Sequence, residues 1–89
     1  MSVISRIRAA LRTNNYEYSQ HALEEMDDDD LSDADVREAI LHGGMRAELT
    51  DDPRSIRYLV KGKSGRIDIE IIARFVADDE VRIITAYVP

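Results

Sequence analysis

Ile67-Asp68-Ile69-Glu70-Ile71-Ile72-Ala73-Arg74-Phe75 places Ile67, Ile69, Ile71, Ala73 and Phe75 in one register and Asp68, Glu70, Ile72 and Arg74 in the other. A period of two sustained over nine residues reads as a β-strand with one buried face. The same alternation runs through Met45, Ala47 and Leu49, and again through Ile56, Tyr58 and Val60. Arg82-Ile83-Ile84-Thr85-Ala86-Tyr87 supplies a fourth strand. Three polar segments separate the four: Thr50-Asp51-Asp52-Pro53, Gly62-Lys63-Ser64-Gly65 and Ala77-Asp78-Asp79-Glu80. Such short turns predict an antiparallel meander. Its inner face carries Ile67, Ile69, Ile71 and Phe75.

Upstream of Gly44 the period is helical. Ile4, Ile7 and Leu11 share one stripe, with Ser2 as cap, and Arg8 and Arg12 lie one turn apart away from it. Thr13-Asn14-Asn15 ends that helix, because these residues favour turns. Tyr16 to Tyr18 is a short extended piece. Ser19 caps a second helix that buries Ala22, Leu23 and Met26 and stops within Asp27-Asp28-Asp29-Asp30. Ser32 caps a third, with Asp33 and Asp35 in its positive first turn and Gly43-Gly44 at its end. Three helices on one face of a four-stranded antiparallel sheet make a two-layer α+β domain.

Eighty-nine residues form a single domain, residues 1–89. The chain has no Cys, which excludes disulfides and thiolate metal sites. No apolar run reaches the roughly 18 residues of a membrane span, so a cytoplasmic protein without membrane contact is expected. The net charge of −6 is unevenly spread, −8 through Pro53 and +2 from Arg54 onward. An acidic half repels RNA and a mildly basic half attracts it.

Two His, no Cys and no H-E-x-x-H argue against a metal site. The Asp27–Asp30 run lacks the Gly and closing Glu of a calcium loop. No Gly-rich phosphate loop or G-x-S-x-G is present, and no cofactor is expected. The remaining chemistry is metal-free acid–base work. His21 opens the second helix, where the positive helix end favours a neutral imidazole able to take a proton. Arg57, Glu70, Thr85 and Tyr87 fall on polar strand registers. This set suits RNA cleavage through the neighbouring 2′-hydroxyl, for which the substrate supplies the nucleophile. His21 or Glu70 is the candidate base, Arg57 the phosphate stabiliser, and Tyr87 the acid or a stacking platform. Thr85 and Arg66 are candidate substrate contacts. Each residue also has a structural reading: a helix-start His, a cross-strand Arg57–Glu70 pair, a packing Tyr87. Tyr16, Tyr18 and Tyr58 read as core.

Tyr16-x-Tyr18-Ser19-x-His21-Ala22-Leu23, Met26, Leu31-Ser32, Ala39-Ile40, Gly43, Asp51-Asp52 and Ile84-Thr85-x-Tyr87-x-Pro89 together resemble a bacterial family, domain of unknown function 4258. The likeness covers nearly the whole chain. It implies a relative of the RelE/BrnT-like toxin fold, an endoribonuclease role, and a small zinc-finger or DNA-binding antitoxin as partner. The chain departs from that pattern at Asp29, where the family usually carries Arg. The alternative is a non-catalytic interaction domain whose acidic helices bind a basic partner.

Overall fold

The computed structural model describes all 89 residues. Three helices, α1 (Val3–Arg12), α2 (Gln20–Asp28) and α3 (Asp33–His42), cover one face of a sheet. The strands are β1 (Tyr16–Tyr18), β2 (Gly44–Leu49), β3 (Arg57–Ser64), β4 (Ile67–Ala77) and β5 (Glu80–Tyr87). Their order is β1-β5-β4-β3-β2. The expected meander is present as β2 to β5, all antiparallel. The expected four-stranded antiparallel sheet is nevertheless incomplete, because β1 joins it parallel to β5 and makes the sheet five-stranded and mixed. The cause is local. Asn15 and Ser19 bracket three extended residues, and Val81 N–H donates to the Asn15 carbonyl while Ser19 N–H donates to that of Ile83.

The serine caps hold as read. Ser2, Ser19 and Ser32 side chains accept from Ser5, Ala22 and Asp35 N–H at 3.2, 3.0 and 3.1 Å. Asp35 Oδ2 returns a bond from Ser32 N–H at 2.9 Å, completing a capping box. At the other ends, Asn14 and Asp30 take left-handed backbone (φ 58° and 56°). The next N–H then reaches back, Asn15 to Ala10 and Leu31 to Met26, which closes each helix.

Seventeen buried apolar residues form one core between helices and sheet. Ile69, Ile71 and Ala73 face it fully buried, and Phe75 packs against it beneath the Arg6 guanidinium, 4.2 Å from the ring centroid. Ile67, expected inside, is 46% exposed at the hairpin tip, beyond the helices. Leu23 is also exposed rather than buried. Arginines tie α1 to α3 reciprocally. Arg8 donates to the Ile40 and Gly43 carbonyls at the end of α3, and Arg37 to the Leu11 carbonyl at the end of α1. Both satisfy helix-terminal acceptors.

Gly62-Lys63-Ser64-Gly65 is not a turn. β3 continues through Ser64, which pairs with Ile67, and the turn is Gly65-Arg66 with Gly65 at φ 59°. Gly62 instead lies under α3, where a β-carbon would overlap the Ala39 carbonyl. Gly43 is similarly confined by the Lys61 and Ala39 carbonyls, so space rather than a left-handed cap conformation requires it. We predict that Gly62→Ala costs about 2–3 kcal/mol through overpacking and lowers Tm by roughly 10 °C. Gly44→Ala, with open space around it, should leave Tm nearly unchanged in the same thermal melts.

Candidate functional site

The helices pack on the face that buries Ile69, Ile71, Ala73 and Ile83, and the alternate registers carry the side chains of the opposite face. On this face β-register decides which residues meet. Lys61 pairs with Glu70 and Glu70 with Tyr87, so these three form one cross-strand row. Lys61 Nζ stands 3.1 Å from Glu70 Oε1, and the Glu70 side chain is only 14% exposed. Burial and then the adjacent Glu70 carboxylate push the Tyr87 phenol above its ordinary pKa, which keeps it protonated. A groove of about 310 Å³ opens beside this row, lined by Arg46, Lys61, Lys63, Asp68 and Glu70. Lys63 pairs with Asp68 at 3.5 Å, while Arg46 has no carboxylate partner.

His21 approaches from the sheet edge. Its Nε2 lies 3.3 Å from Glu25 Oε1, and that oxygen also accepts from Ala86 N–H, one residue before Tyr87. Glu25 thereby links the exposed imidazole of α2 to the end of β5. Ser19 fixes the start of α2 on the same strand by donating to the Ile84 carbonyl at 2.9 Å. Through Glu25, His21 is tied to the backbone of β5 one residue before Tyr87, whose cross-strand partner is Glu70.

Arg57 lies on the same face but elsewhere. Its strand position is four residues from Lys61, roughly 13 Å at β-strand rise. Its guanidinium is engaged by Asp51 at 2.6 Å, not by Glu70. Thr85 pairs with Ile72 between the two positions. Arg66 sits exposed at the β3–β4 turn, beyond the Lys63–Asp68 pair. The acidic run is divided. All four aspartates are solvent-exposed, but Asp29 Oδ2 also accepts from Val88 N–H at 2.8 Å. An Arg at position 29 could not accept that bond.

The cation beside Glu70 was missed in the sequence because the hairpin turn was placed too early. Once the turn is Gly65-Arg66, antiparallel counting puts Lys61 opposite Glu70. A second unforeseen cluster lies on the helix side. Tyr16 and Tyr18 hydroxyls both donate to Asp33 Oδ1, at 2.7 and 2.5 Å, and Arg37 donates to the Tyr16 oxygen at 3.0 Å. These tyrosines are half-buried props between β1 and α3, with polar tips satisfied.

Residues 18–88 match the family model described as Domain of unknown function (DUF4258), and the chain belongs to that family. No curated protein and no solved structure matches it.

The Asp33 cluster generates a pH dependence. Burial, then the bond to Asp33, raises the Tyr18 phenol above its ordinary value of 10.0, and burial foremost raises Tyr16 in the same direction. The folded state therefore holds these protons more tightly than the unfolded chain. Their contribution to stability is complete below the ordinary pKa and is lost as pH rises past it. Thermal melts between about pH 9 and 11 should show Tm falling, and Tyr18→Phe should flatten that fall.

Proposed function

We propose that this DUF4258 protein is a toxin-like endoribonuclease that cleaves RNA through the 2′-hydroxyl. The observation that supports this most is the Lys61–Glu70–Tyr87 row on an open, groove-bearing sheet face. Glu70 is the base: it takes the 2′-hydroxyl proton as the 2′-oxygen attacks phosphorus. Lys61, with Arg46 and Lys63 around the same groove, balances the charge growing on the phosphoryl oxygens. The bond to the 5′-oxygen breaks, and Tyr87 gives that oxygen its proton. A phenol with a raised pKa still donates to an alkoxide, which is far more basic. The products are a 2′,3′-cyclic phosphate and a free 5′-hydroxyl. Glu70 then passes the proton it took to Tyr87, its cross-strand neighbour, which restores both groups.

On this reading the α+β layout is that of a RelE/BrnT-like toxin with a parallel edge strand added, and its partner is a small zinc-finger or DNA-binding antitoxin. Arg57 has a binding rather than a catalytic place. A second reading has one specific observation in its favour: Asp27, Asp28 and Asp30 carry exposed charge with no intramolecular ion pair. They would dock a basic protein segment.

Purified protein should cleave a labelled oligoribonucleotide and leave a cyclic phosphate, with no cleavage where the 2′-hydroxyl is replaced by hydrogen. Glu70→Gln should reduce the rate ~100-fold or more, and Tyr87→Phe ~10-fold or more, with folding retained. Full activity in Glu70→Gln would refute Glu70 as base.

A further inference from the structure

The open face carries a second row, four residues along the strands from Glu70. Arg82 pairs with Glu17 of β1 and with Arg74 of β4, and the β3–β4 register continued by one residue sets Arg57 beside Arg74. Three guanidiniums therefore stand side by side on adjacent strands, across roughly 10 Å at ordinary strand spacing. Like charges directly opposite one another destabilise a sheet, so an all-arginine row needs compensation. Compensation is present at both flanks and missing in the middle. Asp51 Oδ1 engages Arg57 at 2.6 Å, and Glu17 Oε1 engages Arg82 at 2.9 Å. Arg74 has no carboxylate within ion-pair distance.

Both flanking pairs are accessible. Asp51 is 73% exposed and Glu17 47%, so each ion pair is screened by solvent and worth little on its own. A polyanion offers several phosphates at once and can outcompete single carboxylates, with release of its counterions added. Between this row and the Glu70 row lie Leu59, Ile72 and Thr85, paired across three strands and half-buried. They form an apolar floor on which unpaired bases can rest.

We propose, building on the ribonuclease reading, that Arg57, Arg74 and Arg82 hold the phosphates of the RNA strand cleaved at Glu70. Asp51 and Glu17 mask the two outer arginines until that strand displaces them. Arg74 makes the first contact, and the masking carboxylates set a threshold that discourages weakly charged or short ligands. This separates strand holding from bond breaking on one face.

Fluorescence anisotropy with a labelled, non-cleavable 2′-O-methyl oligoribonucleotide tests the row without depending on catalysis. Arg74→Ala should weaken binding roughly tenfold, the scale of one charged hydrogen bond, and reduce the salt slope by about 1. Glu17→Gln with Asp51→Asn should tighten binding several-fold. Asp27→Asn with Asp28→Asn changes net charge equally, but on α2, and should stay within about twofold of the parent. Unchanged affinity and slope in Arg74→Ala would overturn the row. Equal tightening by both double variants would overturn the masking and leave only net charge. Displacement of the oligonucleotide by polyglutamate at matched charge concentration would assign the face to an acidic protein instead. Binding that follows the arginines in a protein unable to cleave would support the row and reject the nuclease reading alone.

Discussion

The close seat of α3 on β3 is the constraint on which the rest of the structure depends. Ala39 meets Gly62 backbone to backbone, with Gly43 wedged beside the Lys61 carbonyl, and no β-carbon fits at either glycine. This contact fixes α3 over β3 and β4, and the core of Val36, Ala39, Ile40, Val60, Ile69 and Ile71 closes around it. Small chains bury a modest share of their surface, so one misplaced helix would cost much of the stability. Arg8 and Arg37 then lock α1 to α3 by satisfying each other's helix ends.

Because all three helices lie on one side, the opposite face of the sheet is left to the strands' outward side chains. That face sorts by register into rows: Lys63–Asp68, Lys61–Glu70–Tyr87, an apolar strip, and the arginines with Glu17. A β-bulge at Ile84 matters here. Ile83 pairs with Ala73 and Thr85 with Ile72, so Ile84 is the extra residue, and Thr85 and Tyr87 are turned outward while Ala86 stays buried. Without the bulge the end of β5 would present its other face, and Tyr87 would leave Glu70.

The acidic half of the chain is partly structural. β1 covers only the first part of β5, and beyond it the strand edge is bare. Glu25 of α2 and Asp29 at its C-terminal cap accept the Ala86 and Val88 N–H groups in place of a neighbouring strand. Carboxylates on an edge also discourage pairing with other chains. The run of four exposed aspartates therefore contains one residue, Asp29, whose side chain has a defined backbone partner. The same Glu25 that guards the edge holds His21, which couples the local imidazole to the integrity of β5.

Much of this was legible in the chain itself. Alternation and polar turns specified the meander, Ser2, Ser19 and Ser32 specified the helix starts, and the polar registers named Glu70, Thr85 and Tyr87 as outward. The single register read for Met45, Ala47 and Leu49 failed, because a bulge after Met45 turns Ala47 and Leu49 onto the face of Leu59 and Arg57. These are local properties, set by backbone geometry and side-chain period within a few residues. What tertiary structure decided was long-range. A three-residue β1 has too little pattern to announce a parallel partner 65 residues away. Gly62 looked like a turn because a glycine excluded by a helix carbonyl and a glycine required by positive φ are the same letter. That misplacement hid the pairing of Lys61 with Glu70 and set Arg57 opposite Glu70, whereas the observed register puts Arg57 beside Arg74. Which polar side chains share a site is a matter of cross-strand register, and register is settled by where turns and bulges fall in the packed sheet.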